Sequence, residues 1–140
     1  MYAPPTGDPR PVDIMPTSEI PLLGAHNVEN VMGAILVALA AGLPLDAIRE
    51  GVRTFRPLGH RLEPVAEIDG VQYVDDSKAT NPGSVIAALR AFDERPIVLI
   101  AGGKAKGTDF AEMGKVISSR AKAVVLIGEA AEEIGAFVKR

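Results

Sequence analysis

Two short runs, Ile97-Val98-Leu99-Ile100 and Val124-Val125-Leu126-Ile127, constrain the fold of this chain more than anything else in it. Each is continuously apolar, with no polar residue at alternate positions. That pattern suits a strand covered on both faces, as in parallel α/β sheets. Parallel strands cannot be joined by a tight turn and need a crossover, usually a helix. Phe110 to Ser119, with helically spaced apolar residues, supplies one. Read outward from this pair, the second half of the chain is strand, helix, strand, helix, strand, helix: Val71 to Val74, Ser84 to Phe92, Pro96 to Ala101, Phe110 to Ser119, Ala123 to Ile127 and Ala130 to Val138. The expectation is a mainly parallel, doubly wound α/β unit. Three strands make a thin sheet, so the unit is expected to be incomplete.

The first half has a different grammar. Six of the eleven prolines fall in the first 21 residues, where missing N–H donors disfavour a long helix or a central strand, leaving a loop with at most short edge strands. From His26 onward, Val28, Val31, Met32, Ile35, Leu36 and Leu39 recur at helical spacing up to Gly42 and Pro44. Leu45, Ile48, Val52 and Phe55 repeat the spacing in a shorter segment that closes before Pro57 and Gly59. A helix pair over residues 1–57 and an α/β unit over 58–140 is the domain organisation this predicts.

Composition excludes several classes of function. A formal net charge of -3, with acids and bases interspersed, offers no basic surface for nucleic acid or anionic lipid. With no cysteine there is no disulfide framework, thiolate metal site or cysteine nucleophile. No secretory signal opens the chain, and the uncharged stretch Val31 to Leu45 is shorter than the roughly 20 residues that span a bilayer. The protein is expected to stay inside the cell, in the cytoplasm, with neither nucleic acid nor membrane as a partner.

In open α/β sheets ligands sit beyond the carboxyl ends of the strands, so the loops after Val74 and Ala101 are the places to look. The first reads Asp75-Asp76-Ser77-Lys78-Ala79-Thr80-Asn81-Pro82. A solvated turn with a helix cap accounts for the hydroxyls and the amide, but poorly for a lysine beside two aspartates. The second reads Gly102-Gly103-Lys104-Ala105-Lys106-Gly107-Thr108-Asp109, and is either an exposed glycine turn or a place where backbone and two lysines meet an anion. It lacks the Lys-Ser/Thr of a P-loop, and there is no dinucleotide fingerprint. His26-Asn27 and Asn30 open the first helix, where capping is the simpler reading. His60-Arg61 lie in the linker, either as a surface pair or at a hinge that meets a ligand.

Taken in order, Gly24-Ala25-His26-Asn27-x-x-Asn30, Phe55-x-x-Leu58-Gly59-His60-Arg61, Asp75-Asp76-Ser77-Lys78-Ala79-Thr80-Asn81 and Gly102-Gly103-x-x-Lys106-Gly107-x-Asp109-Phe110 resemble the Mur ligase family. The likeness runs from about Leu22 to the end. The Asp-Ser-Lys-Ala-Thr-Asn string resembles the D-glutamate-adding members. The resemblance implies a fragment of a three-domain enzyme: residues 1–57 as the tail of the central ATP-binding domain, and 58–140 as a truncated Rossmann-like C-terminal domain. It further implies an ATP-dependent ligase of peptidoglycan precursor synthesis that joins D-glutamate to UDP-N-acetylmuramoyl-L-alanine through an acyl phosphate.

Carried over by position, the resemblance makes Asn27, Asn30, Arg61 and Asp76 nucleotide-side residues, Arg61 as a fork for phosphate oxygens and Asp76 for ribose hydroxyls. Lys78 and His60 would stand at the reacting centre, and Thr80 with Lys106 would hold D-glutamate. ATP and Mg2+ are the implied cofactors, but the phosphate loop, the metal-supporting residues and the UDP-binding domain have no counterpart in these 140 residues. The chain alone is therefore expected to be inactive, its partners being the missing domains of the parent protein. The competing readings are a non-catalytic Rossmann-like module for a nucleotide or acidic amino acid, and a related ligase with another amino-acid substrate.

Overall fold

A computed structural model describes residues 11–92, 95–104 and 107–138. The chain divides into two compact units, Met1–Pro57 and Leu58–Arg140.

The first unit is built on two helices, α1 (Ala25–Ala40) and α2 (Leu45–Thr54). Gly42 takes a left-handed φ of 79° after α1. The Gly42 N–H then reaches the Leu39 carbonyl and the Leu43 N–H the Ala38 carbonyl, a Schellman closure that satisfies the last carbonyls of the helix. Pro44 fixes the entry into α2. Ile35 and Ile48 are the buried residues of the two helices. Among the described residues, the proline-rich opening contributes one 3-10 turn, Thr17–Glu19, and an isolated bridge residue at Val12. Arg49 Nε donates to the Ile14 carbonyl at 2.6 Å, and Arg53 Nε pairs with Glu19 Oε2 at 2.6 Å. These two arginines fasten residues that have no apolar periodicity of their own.

The second unit contains the expected parallel pair, β3 (Ile97–Gly102) with β4 (Ala121–Ile127), joined through helix α4 (Ala111–Arg120). Helices α3 (Pro82–Ala91) and α5 (Ala131–Phe137) complete the packing. Ile86 and Leu89 of α3, Met113 and Ile117 of α4, and Ile134 of α5 close one core, against which Ile97, Leu99, Val124 and Leu126 pack. Expecting both faces of these strands to be covered was wrong for the described residues. Val98, Ile100, Val125 and Ile127 point away from the core and are 62, 67, 49 and 55% exposed. The helices share a single core, so alternate residues of each strand are left outside it.

The strand at Val71, expected in the parallel sheet, lies in a separate antiparallel one. It forms β2 (Val71–Asp75), and it pairs antiparallel with β1 (Glu63–Ile68), a segment to which the sequence reading assigned no element. The two-residue turn is Asp69-Gly70, with φ of 52° and 77°. Positive φ at both central positions is what a type I′ hairpin turn requires, and Asp-Gly is among its strongest signals. The register sets Glu63 opposite Asp75, with an irregularity between Pro64 and Ala66. The sheets are therefore an antiparallel hairpin and a parallel pair within a mixed α/β unit.

Candidate functional site

The carboxyl end of β2 is stitched to the turn that precedes β1. The His60 N–H donates to Glu63 Oε2 at 2.7 Å, holding His60 at a left-handed φ of 66°. The His60 carbonyl accepts from the Lys78 N–H at 3.1 Å. The Leu62 N–H donates to Asp76 Oδ1 at 3.2 Å, and Leu62 itself is buried. The last contact joins His60 Nδ1 and Asp75 Oδ2 at 2.7 Å, while the Ser77 N–H donates to Asp75 Oδ1 at 2.8 Å. The turn and the strand end are thereby brought into one patch.

Beyond the stitch, the chain makes a tight sequence of turns. The Ala79 N–H reaches the Asp76 carbonyl and the Thr80 N–H the Lys78 carbonyl, each at 2.8 Å. Asn81 caps α3 by accepting from the Ser84 N–H at 2.9 Å, with Pro82 at the first helical position, where its missing donor costs nothing. Lys78 and Thr80 are exposed, Asp76 is half-buried and Arg61 is exposed. The structure thus brings His60, Arg61, Asp76 and Lys78 together on one stitched loop, with Thr80 following in the same turns.

Asp75 carries the one resolved electrostatic perturbation at this place. The hydrogen bond from His60, then those from the Ser77 backbone and hydroxyl, lower its pKa from 3.8 to about 2. All three favour the charged carboxylate. Glu63 was not singled out in the sequence, and Asp75 was quoted there within the loop string without a role of its own. The Asp-Gly turn at residues 69–70 was the available signal, since a hairpin there sets Glu63 against Asp75.

His60, Glu63 and Asp75 are also the one His, Asp and Glu group among the described residues whose ligand atoms fall within 4.8 Å of one another. Their arrangement does not fit Mg2+. That ion takes oxygen ligands in a near-octahedral shell, whereas here an imidazole nitrogen is bonded to one carboxylate and a backbone N–H to the other. The group is a hydrogen-bonded turn.

The second loop follows β3. Gly102 has φ 150°, and a Cβ placed there would meet the Ile127 carbonyl oxygen at 1.8 Å, so the two parallel strands end in contact that only glycine permits. The Gly103 N–H donates to the Ile127 carbonyl and the Gly103 carbonyl accepts from the Ala130 N–H. Lys104 is exposed at this end. Lys106 lies outside the described residues.

In the first unit, Asn27 and Asn30 do not cap α1; Gly24 occupies the cap position with φ 89° and no side-chain bond. Asn27 Nδ2 donates to the Leu23 carbonyl at 2.7 Å, and Asn30 Nδ2 reaches Asn27 Oδ1 at 3.4 Å. The two amides form a short ladder up the first turn, with Asn30 on the exposed side.

A profile described as "Mur ligase, glutamate ligase domain" matches residues 60–139, from the stitched turn through α5. The chain belongs to this family. It is 52% identical over 121 residues to the UDP-N-acetylmuramoylalanine--D-glutamate ligase of Acidobacterium capsulatum, covering 86% of this chain and 26% of that protein. With the ligase of the same name from Pelotomaculum thermopropionicum it shares 47% identity over 115 residues, 82% of this chain and 25% of the relative. Among solved structures it is similar to a folylpolyglutamate synthase from Thermotoga maritima, with a TM-score of 0.52 and 28% identity over 74% of this chain and 25% of that one. The chain spans about a quarter of the length of the curated relatives it matches. Among the described residues, no helix is long and apolar enough to cross a membrane.

Proposed function

We propose that this chain is the segment of an ATP-dependent, D-glutamate-adding ligase that brings together the end of the central domain, residues 1–57, and the start of the C-terminal domain, residues 58–140. The observation that carries the reading is the stitched loop, whose hydrogen bonds draw His60, with Arg61 beside it in sequence, to Asp76 and the Lys78 backbone at the end of one strand. In the reaction, a carboxylate oxygen of UDP-N-acetylmuramoyl-L-alanine attacks the γ-phosphorus of ATP and ADP leaves. The amine of D-glutamate then attacks the acyl carbon, and inorganic phosphate departs with the former carboxylate oxygen. Negative charge gathers on phosphoryl and carbonyl oxygens, so fixed cations and donors are what such a site supplies.

In this reading Arg61 forks onto phosphate oxygens, the free oxygen of Asp76 accepts from ribose hydroxyls, and Asn27 with Asn30 meets the adenine edge. Lys78 and His60 stand by the reacting groups, while Thr80 and Lys106 hold the carboxylates of D-glutamate. The protein works in the cytoplasm, where its nucleotide substrates are found. Magnesium, when bound, would offset phosphate charge, and its ligands belong to other parts of the ligase.

The test is ATP-dependent phosphate release with UDP-N-acetylmuramoyl-L-alanine and D-glutamate. It compares this chain with a full-length ligase of the family in which this chain replaces the matching segment. Release by the full-length protein alone, lost on omitting D-glutamate, is the expected result. Silence from a well-folded full-length protein would favour a non-catalytic binding module, and release driven by a different amino acid would move the assignment to a related ligase.

A further inference from the structure

His60 is held at three points. Its N–H is bound by Glu63, its carbonyl by Lys78, and its ring Nδ1 by Asp75. Nε2 is the one polar atom of the residue without a partner among the described residues, and the His60 side chain is 61% exposed. An ionised carboxylate can only accept. Asp75 is a carboxylate at neutral pH, and its other oxygen already accepts from the Ser77 N–H, so the proton in the 2.7 Å contact sits on His60 Nδ1. Asp75 is in turn fixed by the Ser77 N–H on its other oxygen and by its place opposite Glu63 in the hairpin, so it does not follow the ring.

We infer that Asp75 is a positioning residue for His60: its carboxylate holds the imidazole in the Nδ1–H form and presents Nε2 as the atom through which His60 meets substrate. The consequence for catalysis rests on the ligase reading given above. A histidine whose other nitrogen donates to a fixed carboxylate has a defined tautomer and ring direction, so Nε2 meets substrate as a hydrogen-bond or proton acceptor. Free to rotate, the same ring would spend part of its time with Nδ1 as the acceptor and with Nε2 directed elsewhere. Asp75 touches no substrate in this scheme. It acts through His60, whereas its sequence neighbour Asp76 spends one oxygen on the Leu62 N–H and, among the described residues, has the other available.

The experiment has two arms. The chain carries only two histidines, so with His26→Gln as the background the long-range nitrogen-proton spectrum of this protein reports His60 alone. In its neutral form the ring is expected to be protonated on Nδ1. Asp75→Ala is expected to return it to the Nε2–H form usual for an unconstrained imidazole, and Asp75→Asn, which retains a carbonyl oxygen, to restore Nδ1–H in part. An Nε2–H ring in the unsubstituted background, or one unchanged by Asp75→Ala, overturns the inference.

In the full-length ligase, Asp75→Ala is expected to lower kcat by roughly 10-fold or more with little change in the KM of ATP or D-glutamate, the size usual for a group that orients a functional histidine. If the full-length enzyme is active and Asp75→Ala leaves kcat unchanged, the positioning role fails although the ligase reading stands. If no ligation occurs at all, the ligase reading fails, and the tautomer measurement on this chain still decides whether Asp75 holds His60.

Discussion

At the scale of single residues, the string Asp75 to Asn81 divides its work in a way its composition does not reveal. Asp75 bonds His60, Asp76 bonds the Leu62 N–H, and Asn81 caps α3. Lys78 lends the stitch its backbone N–H, which leaves the side-chain amine exposed. The amine beside two aspartates, the feature that marked this loop in the sequence, is thus separable from the hydrogen bonds that shape it. Asp75, with its pKa depressed to about 2, binds its proton less readily folded than unfolded. Its stabilising effect is therefore complete above its ordinary pKa of 3.8 and is lost as pH falls through about 2. Asp75→Asn should lower the urea midpoint at pH 6, and the gap from the unsubstituted chain should close as pH falls below 3.8. A gap that persists at low pH would mean the substitution acts through packing instead of charge. Asn81→Ala removes the cap of α3 and should cost about 1 kcal/mol in the same titration, with no dependence on acid.

Elements were legible in proportion to how locally their cause is written. The parallel strands, their crossover helix and the helix pair announce themselves by period and length, because burial of one face fixes which residues repeat. Strand β1 did not, since Glu63-Pro64-Val65-Ala66-Glu67-Ile68 has no long apolar run and contains a proline. Its existence depends on the Asp69-Gly70 turn bringing it to β2, a relation between segments. The His60–Asp75 contact was illegible for the same reason, its partners being 15 residues apart and meeting only once the hairpin forms. Two helical glycines show how context reverses a propensity. A methyl group added at Gly33 in α1 would have nothing within 4 Å, whereas one at Gly114 in α4 would lie 2.5 Å from both the Cβ and the carbonyl oxygen of Phe137. Replacing glycine by alanine gains about 1 kcal/mol of helix propensity, and overpacking costs about 1–3 kcal/mol. Gly33→Ala should therefore raise the thermal midpoint and Gly114→Ala lower it; a rise for both would mean that Phe137 yields without strain.

For the molecule as a whole, the core cluster among the described residues is built from the second unit, and Ile35 and Ile48 are the buried residues of the first. Ile117 is fully buried at the centre of that cluster. Cutting it to alanine removes three methyl or methylene groups from a closely packed site, which typically costs about 2–5 kcal/mol. How far that loss spreads depends on whether the two units share a cooperative unfolding transition, a property no local sequence pattern records. Each unit has its own buried residues and its own hydrogen-bonded closures, so the expectation is separate responses. In amide hydrogen exchange, Ile117→Ala should lower protection through β3, α4, β4 and α5 by the full cost of the cavity, while the amides of α1 and α2 keep theirs. Ile48→Ala should do the reverse. Equal loss of protection in both units from either substitution would show one cooperative body, and the division at Pro57 and Leu58 would then be a boundary of packing but not of stability.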